Sequence, residues 1–358
     1  ILHQYQQYRR PVGFEYENVW TINFNALNAA DSSLFKIKDQ LLNRISNFPE
    51  VEVAGISESS IIFTGGTYRN TMTYKEKRVG SDHLVLGNQD AEIMDIPLLQ
   101  GRWFNETDEV GKETAIVINQ HFKNEMFGDE NPLGKVIYID KDDPTTFKRV
   151  VGVIGDFKYK GDFQEPWNLY FNQKDKNSQY YDILLKVSPD ASAEFEATLS
   201  KTVAQIAKGW QIEIGKMAEK KAFLNKFTYI PTIILLIVCS FLIFNVLLGL
   251  FGILWYNINQ RKGEIGLRRA MGATQEKIAW QFIGEVIVIA TFALIIGVFF
   301  AVQFPLLGVF SFFGVSSMTY ILAIVLAILL IYGIIIFCAF YPSHQAAKIH
   351  PAVALHAD

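Results

Sequence analysis

The chain has 358 residues, a net charge of −3 and 50% hydrophobic residues, but these averages combine two unlike parts. Residues 1–229 hold 27 Lys/Arg and 32 Asp/Glu, whereas the remaining 129 residues hold six and four. The first part has the composition of a globular domain, and the second has that of a membrane protein. No basic stripe interleaved with aromatics favours nucleic-acid binding. The phosphate-loop, zinc-protease and serine-hydrolase motifs are also missing, which argues against those enzyme classes.

The first 229 residues predict a duplicated α+β arrangement. Residues 1–16 resemble the end of a helix that emerges into a linker. Polar and apolar residues then alternate at 17–25, as in a half-buried strand, and leucines and isoleucines follow Asp31 at helical spacing. A further strand pattern begins at Val51, and the same strand–helix–strand order recurs in residues 181–215.

The region between these two units is rich in short alternating runs, glycine turns and aromatics. The clearest strand patterns lie at 114–120, 134–140 and 148–157, and a turn is predicted at 127–135. His83 and His121 have no cysteine or carboxylate cluster at ligand spacing, so no metal site is predicted. We expect two strand–helix–strand units at 17–57 and 180–217, a β-rich subdomain at about 58–179, and a domain that ends near 229.

The remaining residues predict three membrane spans, at about 231–255, 281–303 and 319–340. In Thr232–Leu254, 17 of 23 residues are Val, Ile, Leu or Phe, which is long and apolar enough to cross a bilayer. Prolines, glycines and serines separate the second span from the third. In the second span, Ala293, Gly297 and Ala301 recur every four residues and predict a small-residue stripe for helix packing.

The distribution of basic residues predicts the orientation of these spans. The loop at 257–278 carries five basic residues, and the tail at 341–358 carries Lys348 and three histidines. The positive-inside rule places both segments in the cytoplasm and the α+β domain outside. An external start with three spans requires either a translocated N-terminus or another helix ahead of Ile1, and we expect the additional helix.

The basic loop itself predicts a short amphipathic helix, a kink and a second helix. Gly272 suits a helix C-cap, and Thr274 can cap the next helix, with Glu276 in its first turn. One interpretation is that this helix lies on anionic lipid. The other is that its small residues allow close docking against a protein.

These segments carry a family resemblance. "RKGEIGLRRAMGAT" at 261–274 and "YPSHQAAKIHPAVAL" at 341–355 resemble the FtsX-like permease domain. "MDIPLLQGRWF" at 94–104, "AIVINQHFKNEMFGDENPLGKVI" at 115–137 and "RVVGVIGDFK" at 149–158 resemble the MacB-like periplasmic core domain. The resemblance covers nearly the whole chain.

The resemblance implies the permease of a MacB-type ABC transporter in the bacterial inner membrane. Its fold would be an α+β periplasmic domain followed by an α-helical transmembrane domain, with three of four helices visible. It implies an ABC ATPase partner that holds ATP and Mg²⁺, so no cofactor or metal is expected on this chain. It also implies a homodimer or a heterodimer with a second permease, contact with membrane lipid, and compatibility with a periplasmic adaptor and an outer-membrane partner.

The resemblance also assigns roles to two cytoplasmic segments. Apolar residues of the loop would fill a groove on the ATPase, with the arginines at its rim. The implied coupling residues are Glu264, Ile265, Gly266, Leu267, Arg268, Arg269, Ala270, Met271, Gly272, Ala273 and Thr274. The tail motif comprises Tyr341, Pro342, Ala346, Pro351 and Leu355.

Two positions of this chain depart from the family pattern, and a third matches it. In the tail, His350 replaces the usual Asp or Asn, and His356 stands where Arg or Lys often follows the motif. Glu285 matches a family glutamate, which either joins a polar network or lies at the headgroup level.

Two functions remain open. One is export of a periplasmic substrate such as a peptide, drug, toxin or lipoprotein. The other is regulation of an external enzyme or sensor kinase, as in cell-division FtsX and peptide-sensing permeases. The length of the external domain favours transport. A membrane-anchored enzyme has no motif in its support.

Overall fold

The computed structural model describes residues 2–26, 33–58, 62–110, 113–174, 182–306 and 317–347. The chain divides into two compact units, Ile1–Pro231 and Thr232–Asp358. Asp31, which we predicted to begin the first long helix, lies outside the described residues.

The first unit contains eleven strands and five α-helices in the described residues, and a sixth α-helix begins in it. In chain order these are α1 (Leu2–Tyr8), β1 (Val19–Ala26), α2 (Ser33–Ser46), β2 (Val51–Ser57), β3 (Tyr68–Tyr74), β4 (Lys77–Leu86), α3 (Asp90–Ile93), β5 (Leu98–Gly101), β6 (Thr114–Asn119), α4 (Gln120–Phe127), β7 (Val136–Tyr138), β8 (Phe147–Ile154), β9 (Leu169–Gln173), β10 (Asp182–Val187), α5 (Ala193–Ile206), β11 (Trp210–Lys216) and the start of α6 (Met217–Gln260).

A four-stranded antiparallel sheet joins the two ends of this unit, with the order β11-β1-β10-β2. The two predicted strand–helix–strand units are therefore interleaved, which is the split βαβ arrangement. Ile22 of β1 and Leu185 of β10 are fully buried, and Leu41 of α2 and Leu199 of α5 pack in the same cluster. The alternating strands and the periodic helices thus bury one shared face, as the sequence predicts.

The central strands form a seven-stranded sheet with the order β5-β8-β6-β9-β4-β3-β7. Because β7 also pairs with β8, six of these strands make a closed circuit. Met72, Ile118 and Tyr170 are fully buried in one cluster with Phe122 of α4. The β-rich subdomain is confirmed as part of an α+β domain, and closure leaves few strand edges exposed.

A third cluster contains residues from the start of the chain. Phe14 stacks on Phe157 with ring centroids 4.0 Å apart and an interplanar angle of 17°. Phe14 and Val12 are both 8% exposed, within the segment that we expected to be a linker. From Val12 onward this segment is therefore packed in the domain, because its apolar side chains find aromatic partners.

The second unit is helical. α6 continues to Gln260, α7 spans Lys262–Ala270, α8 spans Gln275–Leu306 and α9 spans Ser317–Ala347. By length and composition, three helices of the described chain can cross a membrane, as predicted. The helices are longer than the apolar spans, because polar helix-forming residues such as those at 217–226 continue α6 beyond the apolar stretch.

A hydroxyl compensates for a proline where α8 ends. Pro305 lies within α8 and has no N–H with which to bond the carbonyl of Ala301. The hydroxyl of Tyr320, at the start of α9, donates to that carbonyl. Further along, the hydroxyls of Thr291 and Tyr332 lie 2.9 Å apart. These polar contacts hold α8 and α9 together where apolar packing alone is not directional.

Candidate coupling site

The predicted helix, kink and helix are present in the basic loop. α7 ends in a Schellman motif, because Gly272 has φ +95° and the N–H of Ala273 donates to the carbonyl of Arg268 at 3.0 Å. The hydroxyl of Thr274 then accepts the N–H of Lys277 at 3.3 Å and caps α8. A Cβ at Gly272 would meet nothing within 4 Å, so glycine is not needed there for lack of space. It is needed because its positive φ is unfavourable for other residues.

One apolar face of α7 packs inside the chain. Ile265 is 3% exposed and clusters with Ile258 of α6 and with Ile278 and Phe282 of α8. Gly266 is also buried, and Ala273 packs against this cluster. Ile265 therefore anchors α7 and cannot fill a groove on a partner, contrary to the role that we expected for the loop's apolar residues as a group.

The other large apolar side chains of the loop, one within α7 and one directly after it, point outward. Leu267 is 52% exposed and Met271 is 73% exposed. Glu264, Ala270, Gly272 and Thr274 are exposed as well. Placed four residues apart, Leu267 and Met271 lie on one side of the helix and form an apolar surface beside the kink.

Polar contacts brace the same helix from its flank. Arg268 forms an ion pair with Glu264, and its guanidinium also donates to Gln281 of α8 at 2.7 Å. Gln281 donates to Glu285 at 3.4 Å, and Arg261 forms an ion pair with Glu285 at 3.0 Å. These pairs are exposed, and each contributes about 0–1 kcal/mol. Their combined effect is to fix the orientation of α7, and Glu285 takes part in this network.

Arg268 is thus engaged within the chain, whereas we had placed it at the rim of a partner groove. Sequence reasoning did not find Gln281, although its position one turn before Glu285 is the helical spacing at which two polar side chains meet. The side chain of Arg269 lies outside the described residues.

The remaining predicted residues lie elsewhere. Ala293, Gly297 and Ala301 face a groove of about 740 Å³ that Val246 of α6 and Ile328 of α9 also line. A Cβ at Gly297 would meet nothing within 4 Å, so Gly297 itself makes no close contact with another helix among the described residues. In the tail, Tyr341, Pro342 and Ala346 belong to α9 by their backbone, whereas Pro351 and Leu355 lie outside the described residues.

The electrostatics of the first unit are dominated by ion pairs rather than by a reactive cluster. Hydrogen bonds from Arg69, Lys160 and Tyr159 outweigh the effect of burial on Asp82 and lower its pKa to about 2. Within the described part of the chain, no three His, Cys, Asp or Glu side chains are grouped so that they could hold a metal ion.

Comparisons with known proteins agree with this organisation. The family described as MacB-like periplasmic core domain matches residues 6–202, and the FtsX-like permease C-terminal family matches residues 229–351. The chain is 26% identical over 313 residues to the macrolide export ATP-binding/permease protein MacB of Neisseria meningitidis, covering 80% of this chain and 45% of the relative. The protein of the same name from Bdellovibrio bacteriovorus is 23% identical over 317 residues, covering 85% and 48%. The chain spans about half the length of these curated relatives.

Two solved structures are also similar. The periplasmic region of MacB from Actinobacillus actinomycetemcomitans has a TM-score of 0.40 at 19% identity, covering 62% of this chain and 98% of that chain. The extracellular domain of the noncanonic ABC-type transporter YknZ from Gram-positive bacteria has a TM-score of 0.36 at 13% identity, covering 55% and 100%.

Proposed function

This chain belongs to the MacB-like periplasmic core domain family, and we propose that it transmits conformational change from a cytoplasmic ATPase to its own periplasmic domain. The chain is a multi-pass membrane protein of the FtsX-like permease type with a large periplasmic domain. In this proposal, α7 docks on the ATPase, and movement of α7 passes along α6 to the periplasmic side.

The geometry of α7 carries the proposal. A coupling element has to be fixed to its own protein and yet present a surface to another one. Ile265 and the contacts of Arg268 supply the first property, and the exposed side chains of Leu267 and Met271 supply the second. Full burial of a leucine or methionine against a partner contributes about 1.5–3 kcal/mol, enough for two such residues to decide docking.

A lipid surface is the competing occupant of the same face. Short amphipathic helices with basic residues lie at the membrane interface, and exposed leucine and methionine side chains can enter the acyl boundary. Docking on a protein is favoured by the Schellman turn at Gly272 and the brace at Arg268, which fix one orientation of α7.

The names of the relatives favour export over regulation. Both are named macrolide export ATP-binding/permease proteins, and most of this chain aligns with them. We assign to this chain the permease role in export of a periplasmic substrate, and to the ATPase partner the binding of ATP and Mg²⁺. Two permease subunits, either identical or different, would form the working unit, with a periplasmic adaptor and an outer-membrane protein as further partners.

Co-purification with the ATPase tests the docking surface. The full-length permease is co-expressed with its ATPase, and the amount of ATPase recovered with affinity-purified permease is measured. We expect Leu267→Asp to abolish recovery, because a carboxylate would be buried in an apolar groove. Leu267→Met, which preserves an apolar side chain of similar volume, should retain it.

Lys262→Asp provides the matched control. It adds the same carboxylate to α7, about 140° around the helix from Leu267 at 3.6 residues per turn. We expect both aspartate variants to insert in the membrane at the wild-type level. Full recovery of the ATPase with Leu267→Asp would overturn the assignment of α7 as the docking helix and favour the lipid interpretation.

A further inference from the structure

A short segment after β8 connects two helices with the β-rich subdomain. Residues 157–163, which we call the bracket, lie between β8 and β9 in the first unit. Their side chains have two sets of partners: one set belongs to α1 and to the part of α6 before Pro231, and the other belongs to β4 and the segment before β3. The bracket is therefore a candidate joint within this domain.

Lys158 holds the end of α1. Its ammonium donates to the backbone carbonyls of Gln7 at 2.5 Å, Arg10 at 2.9 Å and Asp162 at 3.0 Å. Lys158 is 4% exposed, and burial lowers the pKa of its ammonium. The three acceptors match the three N–H groups of an ammonium, which makes burial of this charge tolerable. A cation at a helix C-terminus is also favoured by the helix dipole.

Asp162 holds α6. Its carboxylate forms an ion pair with Lys221 at 2.9 Å and accepts a hydrogen bond from the amide of Asn225 at 2.7 Å. The backbone N–H of Asp162 donates to the same Asn225 side chain at 3.1 Å. Gly161 has φ +91°, which favours glycine, and a Cβ there would lie 2.6 Å from Asn225 Oδ1, so the bracket and α6 are in close contact.

Tyr159 and Lys160 hold the β-rich subdomain. The hydroxyl of Tyr159 donates to Asp82 of β4 at 2.7 Å, and the ammonium of Lys160 donates to the same carboxylate at 2.9 Å. The backbone N–H of Phe63 donates to the carbonyl of Tyr159 at 2.8 Å. Because Asp82 is fully buried and its charge is paired, moving it away from Tyr159 would cost several hydrogen bonds at once.

We propose that the bracket is the joint that converts movement of α1 and α6 into movement of the β-rich subdomain, with Lys158 and Asp162 as its positioning residues. This inference rests on the proposed function, since it concerns the route by which movement of α6 reaches the periplasmic domain. Side chains that hold the helices and side chains that hold β4 lie within five consecutive residues, Lys158 to Asp162. A displacement of either helix therefore acts directly on the strand that carries Asp82.

Hydrogen exchange in the full permease–ATPase complex tests the joint. Backbone amide exchange is compared without nucleotide and with Mg²⁺ and a non-hydrolysable ATP analogue, at α7 and at β3–β4. In the wild type we expect nucleotide to change exchange at both places. In Lys158→Met and in Asp162→Asn the change at α7 should persist, whereas the change at β3–β4 should be lost.

Two features keep this test decisive. Lys226→Met removes an exposed ammonium from α6 and should leave both responses at the wild-type level. Asp162→Asn preserves the size of the side chain, so it serves if Lys158→Met does not fold. If both bracket variants fold and nucleotide changes amide exchange at β3–β4 as much as in the wild type, the bracket is not the joint. If nucleotide changes amide exchange in the wild-type complex neither at α7 nor at β3–β4, the proposed function is wrong, and the joint with it.

Discussion

Ile265 and Leu267 are separated by one residue on α7, yet Ile265 is 3% exposed and Leu267 is 52% exposed. The two apolar residues therefore have different tasks. Ile265 packs against Ile258, Ile278 and Phe282 and fixes the helix, whereas Leu267 is available to a partner. In the function that we propose, this division makes α7 an anchored docking surface.

The first prediction separates these tasks. Ile265→Ala should lower the free energy of unfolding by about 2–5 kcal/mol, because it leaves a cavity in a packed cluster. Leu267→Ala should change it by less than about 0.5 kcal/mol, since exposed positions contribute little. Equilibrium unfolding of the permease in mixed detergent micelles measures both values. Equal losses of stability would contradict the assignment of Ile265 as the anchor.

A second prediction concerns the kink. Gly272→Ala should destabilise the α7–α8 turn by roughly 1–2 kcal/mol, because a Cβ is disfavoured at its positive φ. The free energy of unfolding and the recovery of ATPase should both fall. Gly263→Ala is the matched control: Gly263 lies inside α7 with open space around it, and alanine there should stabilise the helix by about 0.5–1 kcal/mol. If Gly272→Ala changes neither the free energy of unfolding nor the recovery of ATPase, the turn does not need glycine at its left-handed position.

The third prediction concerns the small-residue stripe on α8. Since a Cβ at Gly297 meets nothing within 4 Å, Gly297→Leu should leave insertion and the contacts between α8 and α9 unchanged. If the stripe packs against a second permease, the same change should reduce association in the membrane, as measured by energy transfer between labelled copies. Gly297→Ala retains a small residue and should preserve association. If Gly297→Leu leaves association unchanged, the stripe does not pack against a second permease.

The fourth prediction is a pH dependence that arises from Asp90. Burial raises the pKa of Asp90 to about 6, and Asp182 adds to this rise, although hydrogen bonds from Ser57 and the Gly87 N–H oppose it. As the pH rises, the unfolded state, with a carboxyl pKa of about 3.9, loses this proton at a lower pH than the folded state does. Stability attributable to this group is highest below about pH 4 and falls as the pH rises through about 6.

Asp90→Asn should reduce this dependence. Between pH 4.5 and pH 7.5, thermal melts of the full chain in detergent should show a larger loss of Tm in the wild type than in the variant. Asn mimics the neutral carboxyl in size and cannot ionise. Parallel pH profiles for the two proteins would mean that Asp90 is not the titrating group.

Several elements could be predicted from local patterns. The strand at Val19–Ala26 and the helix at Ala193–Ile206 follow from period-two and period-3.6 apolar spacing. The kink at Gly272 follows from the preference of helix ends for glycine. The hairpin of β3 and β4 and the edge strand β5 are not assigned individually from these patterns, because their polar and apolar residues alternate weakly. In addition, β5 pairs with β8, which is distant in sequence.

The site was predicted only in outline. Spacing placed the apolar residues of α7 on neighbouring faces, but periodicity does not say which face meets other helices of the same chain. The choice between Ile265 and Leu267 depends on where Ile258 and Phe282 lie. The brace of Arg268 on Gln281 likewise depends on the angle between α7 and α8, which the turn at Gly272 sets.

The sequence by itself determined the separation into a globular and an apolar part and the number of apolar spans in this chain, and it predicts that the basic loop is cytoplasmic. These follow from transfer free energies and charge, which are properties of each residue. Only the tertiary structure decided that Lys158 and Asp162 join α1 and α6 to the strand of Asp82, and that Ile265 is an anchor. Such contacts depend on the packing of segments that lie far apart in the chain, and local patterns carry no information about that packing.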